Sequence, residues 1–148
     1  MASYEGRQPI QVLLVEDNPG DIRLVREGLA SSGVPVSLNV VQDGAEALTY
    51  LRGQRVLIGS SRPSLIILDL NLPKRTGHEV LAEIRAHPGL KRIPVVILTA
   101  SSAPFEINKS YDLCANSYVT KPGTLEEFMR AIRAIAEFWL TVARLPTE

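Results

Sequence analysis

Only one cysteine, Cys114, stands in the 148 residues. A lone thiol can form neither an internal disulfide nor a thiolate metal cage, and it fits a reducing cytoplasm. Charge of one sign is also missing. Sixteen Lys and Arg balance 16 Asp and Glu, so there is no global basic field for nucleic acid. No apolar run approaches the length that crosses a bilayer. The start, Met1-Ala-Ser-Tyr-Glu-Gly-Arg-Gln8, lacks the apolar centre of a signal peptide. Neither GxxxxGK[ST] nor GxGxxG occurs, which removes the common nucleotide-binding loops. Repeats and low-complexity tracts are absent as well. What remains is 45% hydrophobic and 22% charged, the composition of a soluble globular protein with a real core. The expected organisation is one domain over residues 9–148 after a flexible segment 1–8. It is expected in the cytoplasm, away from membranes.

Short aliphatic runs alternate with helical patterns. The expected strands are Ile10 to Val15, Val36 to Val41, Leu65 to Leu68, Val95 to Leu98 and Ser117 to Val119. Between them, Asn18-Pro19 caps a helix carrying Ile22, Val25 and Leu29 that stops at Gly33, and Asp43-Gly44 opens one through Leu48 and Leu51. A third helix runs from Gly77 to Ala86, an irregular fourth from Pro104 to Leu113, and a last from Leu125 to about Ala143. A longer Gly-, Ser- and Arg-containing loop fills Gly53 to Pro63. Strand–helix alternation is the signature of an α/β, doubly wound parallel sheet with helices on both faces. Strand order does not follow from sequence; 2-1-3-4-5 is the order of flavodoxin-like folds.

The aliphatic runs end in polar residues. The first runs into Glu16-Asp17, the third into Asp69, the fourth into Thr99 and the fifth into Lys121-Pro122. In an open parallel sheet the carboxyl ends of the strands face one crevice, where ligands bind. Three carboxylates, a hydroxyl and an ammonium converging there suit a divalent metal and a phosphoryl group. Adjacent carboxylates repel unless a cation compensates. Mg²⁺ prefers a few carboxylates plus water and phosphate oxygens, with Mn²⁺ as an alternative. Asp69 is then the natural nucleophile, since a carboxylate can form an aspartyl phosphate. The metal and Lys121 would neutralise phosphoryl oxygens, and Thr99 could donate to one. Pro122 is a candidate for a cis peptide bond, which occurs in only ~5% of X–Pro bonds. Each residue alone has a plainer reading: a solvated turn for Glu16-Asp17, an Asx turn for Asp69, a helix cap for Thr99, a surface ammonium for Lys121. Their joint placement at strand ends argues against those readings.

Glu16-Asp17, Asp69, Thr99, Tyr118 and Lys121-Pro122, in that order, resemble the receiver domain of two-component response regulators over about Gln11 to Ala143. The resemblance implies the (βα)5 receiver fold. It implies that Asp69 accepts a phosphoryl group from the phosphohistidine of a sensor histidine kinase. Asp17, Asp69 and the Asn71 carbonyl would hold Mg²⁺, with Glu16 acting through a metal-bound water. Thr99 and Tyr118 would be a switch pair and Lys121 the phosphate-binding lysine; Asn71 and Ser101 lie where the family tunes phosphate lifetime. Leu68-Asp-Leu-Asn-Leu-Pro-Lys74 and Phe138-Trp-Leu-Thr-Val-Ala-Arg-Leu-Pro146 are similar to the small regulators paired with cyanobacterial and bacterial phytochromes. The implied function is a phosphorylatable switch without an output domain, with self-phosphorylation and self-dephosphorylation but no metabolite turnover. The alternatives are a phosphorelay intermediate or an interaction module for another kinase. A dehalogenase-type phosphatase is discounted, because Asn71 stands where its second acid is needed.

Tyr118 could be an ordinary half-buried strand residue, His78 and His87 are expected at the surface, and Cys114 is expected in or near the core. Leu125, Phe128, Met129, Ile132, Ala136 and Trp139 form a core stripe on the last helix. A second stripe, Ala131, Phe138, Val142 and Leu145, is either a tail folded back on its own domain or a contact surface. A surface for a homodimer through the last strand and helix, or for a kinase, is the preferred expectation.

Overall fold

The structure, a computed structural model, describes residues 8–53, 56 and 62–146. The expectation of a flexible N-terminus lies, but for Gln8, outside the described residues, and so does most of the expected loop from Gly53 to Pro63. The strands are β1 (Ile10–Val15), β2 (Val36–Val41), β3 (Leu65–Leu68), β4 (Val95–Thr99) and β5 (Ser117–Thr120). The helices are α1 (Pro19–Ala30), α2 (Gly44–Leu51), α3 (Gly77–Ala86), α4 (Pro104–Asp112) and α5 (Leu125–Glu137). All strand pairs are parallel, in the order β2-β1-β3-β4-β5.

Period-two alternation splits the sheet residues between two cores. Leu13, Val15, Ile66, Leu68, Val95 and Ile97 face Leu48 and Leu51 of α2 and Val80, Leu81 and Ile84 of α3. Val12, Leu14, Leu65, Ile67, Val96 and Leu98 face Val25 and Leu29 of α1 and Phe128 and Ile132 of α5. The central strands are buried on both faces, which is why they read as unbroken aliphatic runs. Asn18, Asp43, Thr76 and Thr124 each cap a helix, accepting from the backbone N–H three residues on. Arg85, at the end of α3, is a staple no pattern revealed. It donates to the Cys114, Lys91 and Ile93 carbonyls and to Asn116 Oδ1 at 2.8–2.9 Å, fixing the entries to β4 and β5.

Several expectations change. β4 and β5 each run one residue further, pairing Thr99 with Thr120. No cis peptide bond occurs among the described residues, so Lys121–Pro122 is trans, the isomer that lies lower by about 0.5–1 kcal/mol for X–Pro bonds. Cys114 is exposed rather than in the core. It takes φ 67° as α4 ends, while its N–H and that of Ala115 close back on the Tyr111 and Ser110 carbonyls. His78 is half-buried, 2.9 Å from Ser110 Oγ, and so ties α3 to α4. α4 itself is regular but buries only Ser110; Phe105 and Tyr111 lie exposed.

The last helix departs most. Its core stripe is Phe128, Ile132, Ile135, Ala136 and Leu140, while Leu125 is 64% exposed in the first turn. At Phe138–Val142 the α-helix gives way to a π turn, closed by the Ala143 N–H on the Phe138 carbonyl at 2.7 Å. The wider turn shifts the helical phase. Leu140 turns inward and Phe138 remains outside, edge-to-face against Trp139 at 5.1 Å.

α1 crosses α5 so closely that Gly28 has no room for a side chain. A Cβ there would lie 2.2 Å from Ile132 Cγ2 and 2.8 Å from Ile132 Cβ. Glycine in mid-helix costs up to about 1 kcal/mol in propensity, so this packing is what favours it. Gly28→Ala is expected to lower stability by about 2 kcal/mol, a fall of roughly 5 °C in Tm measured by thermal unfolding. An unchanged Tm would show that α5 moves aside freely.

Candidate functional site

The site lies where β1, β3, β4 and β5 end. The Glu16 N–H still reaches the Val41 carbonyl at 3.0 Å, and the Asp69 N–H reaches that of Val15 at 3.0 Å. Each ladder is thus extended by one residue, and both acids are held by backbone bonds. Beneath Asp69 lies the first turn of α3, where a Cβ on Gly77 would stand 2.3 Å from the Asp69 carbonyl oxygen and 2.6 Å from Leu70 Cα. Neither backbone atom can yield, so glycine at position 77 sets the height of α3 under the acid.

All five residues expected at the strand ends meet here. Asp69 is 5% exposed, Glu16 1% and Thr99 fully buried, while Asp17 is exposed at the rim. The Thr99 hydroxyl donates to Asp69 Oδ1 at 2.7 Å, and the Asn71 N–H donates to the same oxygen at 3.1 Å. Lys121 Nζ reaches Glu16 Oε1 at 2.7 Å, Asp21 Oδ2 at 2.8 Å and Asp69 Oδ2 at 3.1 Å. The Lys121 N–H donates to the Thr99 carbonyl at 2.7 Å, fixing the root of that side chain. Tyr118 is half-buried against the α2–α3 core, and its hydroxyl donates to the Ser101 carbonyl at 2.7 Å.

Asp21 is the member the sequence reading missed. It looks like an ordinary first-turn acid, third in α1 and capped by Asn18. The available signal was topological: α1 starts at the carboxyl end of β1, so its first turn borders the same crevice.

Four carboxylates and one ammonium leave a threefold negative excess when all are ionised. Burial pushes the Glu16 carboxyl up to about 7, even though Lys121 pulls it down, and Asp69 adds to the rise. Burial disfavours the Lys121 ammonium, but its bonds to Asp21 and Glu16 outweigh that and hold its pKa above the ordinary value. Lys121 therefore stays charged, and the Glu16 carboxyl holds a proton more tightly than a free one. Carboxylate oxygens of Glu16, Asp17 and Asp69 lie within 4.8 Å of one another. Such a donor set, with one exposed member and water access, fits a hard divalent cation that keeps part of its hydration.

The sign of the pH effect follows. In the metal-free chain, the raised Glu16 pKa stabilises the fold fully below its ordinary 4.5, and that contribution is lost as pH rises through about 7. A bound cation demands the ionised form, so protons compete with it. The Kd for Mn²⁺, measured by titration calorimetry, is expected to rise about tenfold from roughly pH 8 to pH 6. A flat profile would mean that Glu16 does not exchange a proton for the metal.

Comparisons with known proteins agree with this geometry. The response regulator receiver domain model matches residues 12–133. The response regulator Rcp1 of Synechocystis sp. is 45% identical over 144 residues, which cover 97% of this chain and 98% of that protein. The probable methanogenesis regulatory protein FilR2 of Methanothrix harundinacea is 38% identical over 142 residues, covering 96% and 91%. Among solved structures, the phosphorylated cyanobacterial phytochrome response regulator RcpA has TM-score 0.88 and 50% identity, covering 95% of this chain and 100% of that one. The Mn²⁺-bound form of Rcp1 has TM-score 0.88 and 45% identity, covering 94% and 100%. With the fold and near-full-length relatives in agreement, the chain belongs to the response regulator receiver domain family.

Proposed function

We propose that this chain receives a phosphoryl group on Asp69 from a phytochrome-type sensor histidine kinase, in the cytoplasm, and signals by protein contact. The observation that carries the acceptor role is the Asp69 carboxylate itself. It is buried at the end of β3, one oxygen on Thr99 and Asn71, the other on Lys121, with Glu16 and Asp17 alongside. The 50% identity to a phytochrome response regulator supports the kinase class.

An Asp69 oxygen attacks the phosphorus of the donor's phosphohistidine. The new O–P bond forms as the P–N bond breaks, and the imidazole nitrogen keeps the electron pair. Lys121 offers N–H donors to the phosphoryl oxygens, and the Thr99 hydroxyl exchanges its carboxylate acceptor for one of them. Asp17, Asp69 and the Asn71 carbonyl would hold Mg²⁺, with Glu16 acting through water; the cation supplies charge neutralisation to those oxygens. The same site supports self-phosphorylation from small donors and self-dephosphorylation. Thr99 and Tyr118 form the switch. Both act at the end of β4, where Tyr118 holds the Ser101 carbonyl, so a shift of that loop is felt by the phenol. A ligand can move such an equilibrium only by its differential binding to the two states.

The output surface in this reading is a homodimer through β5 and the last helix. Phe138 is 49% exposed and Val142 65%, while Ala131 and Leu145 are half-buried nearby. Strand β5 is an edge of the sheet. An apolar stripe on the last helix and an edge strand both suit a second copy of the same chain.

Incubation with acetyl phosphate and Mg²⁺ is expected to add the mass of one phosphoryl group, measured on the intact protein. The gain should require Mg²⁺ and vanish in Asp69→Asn; a gain that persists in that variant would place the acceptor elsewhere. Phe138→Asp should leave the circular dichroism spectrum intact and weaken self-association by about tenfold or more, since it puts a charge into an apolar contact. An unchanged mass by light scattering would remove this stripe from the interface.

A further inference from the structure

Phosphorylation of Asp69 changes which acceptors compete for the Lys121 ammonium. An ammonium has three N–H donors. In this structure three carboxylates take them: Glu16 at 2.7 Å, Asp21 at 2.8 Å and Asp69 at 3.1 Å. The bond to the acceptor residue is the longest. Esterification takes the charge off the Asp69 carboxylate, so a phosphoryl oxygen inherits that N–H; a second N–H for the phosphoryl group must come from Glu16 or Asp21.

Burial decides which partner leaves. The Glu16 side chain is 1% exposed, and parting it from Lys121 would leave a buried carboxylate without its ammonium. Asp21 is 22% exposed, on the first turn of α1, where water can replace the lost bond. Its backbone is held separately by Asn18, so the helix end stays in place when the carboxylate lets go. Asp69 and the phosphoryl group it carries are where Lys121 is needed.

We propose that Asp21 is a positioning residue for phosphoryl uptake: it tethers Lys121 while Asp69 is free and yields the ammonium to the phosphoryl group. The assignment rests on the acceptor role of Asp69. The step itself is ordinary displacement. An Asp69 oxygen bonds to phosphorus, the bond to the leaving acetate oxygen of acetyl phosphate breaks, and acetate departs with the electron pair. What Asp21 changes is the competition for one N–H and the negative charge the incoming phosphoryl group meets.

The test is the rate of mass gain against acetyl phosphate concentration at saturating Mg²⁺, for the full chain and for Asp21→Asn, Asp21→Glu and Asp21→Ser. Asp21→Asn keeps the shape but competes weakly, as a neutral amide. Its half-saturating acetyl phosphate concentration is expected to fall about fivefold, the size of a partly exposed ion pair, with the maximal rate within about twofold. Asp21→Glu, which keeps the charge, should stay near the parent. A half-saturating concentration that is unchanged or raised in Asp21→Asn would overturn the tether. So would an equal fall in Asp21→Glu, or a general slowing together with a lower Tm, which marks a merely structural acid. If Asp21→Asn does not fold, Asp21→Ser is read by the same criteria. Failure of the parent chain to gain mass would instead count against the acceptor role of Asp69.

Discussion

One ammonium holds the acidic crevice together. Lys121 bonds to Asp69, 52 positions away, and to Asp21, 100 positions away, and it balances a buried Glu16 whose pKa burial has already raised. Without that cation, one of the buried acids would have to take up a proton or move to water. The sheet order makes the arrangement possible: β1, β3, β4 and β5 deliver Glu16, Asp69, Thr99 and Lys121 to the same edge. The remaining negative excess is what makes the place receptive to a divalent cation, and the bound cation in turn makes it receptive to an anion.

Much of this was legible in sequence because the signals were strong and local. Buried parallel strands are short aliphatic runs, and β1, β2 and β3 fall at the expected residues. Helix caps are single polar residues at fixed offsets, so α1, α2 and α3 begin as read. The site was legible because a parallel sheet turns four separate strand ends into one place. Strand order and the identity of the family came from resemblance, since hydrophobic pattern carries neither.

What was not legible depended on three-dimensional accidents of packing. Asp21 looked like a first-turn acid because its partner comes from the far end of the chain. Cys114 looked like a small apolar residue, yet it sits at the left-handed position that ends α4. His78 had no visible partner until α3 met α4 at Ser110. On the last helix Leu125 lies exposed in the first turn, Ile135 joins the core, and Leu140 is buried within the π turn at Phe138–Val142, none of which the apolar spacing alone marked. Pro122 kept the commoner trans form.

The thin attachment of α4 has a consequence for where motion is cheap. A nine-residue helix that buries one serine has little apolar surface to lose when it opens. What holds it is mainly polar: His78 on Ser110, and the Tyr118 N–H on the Tyr111 hydroxyl. Its amides are therefore expected to exchange at lower free energy than those of the central strands, which are buried on both faces. The segment that follows Thr99 and Ser101 is thus the most weakly attached neighbour of the acid's crevice. A small change at the end of β4 would move that one helix at less cost than the sheet.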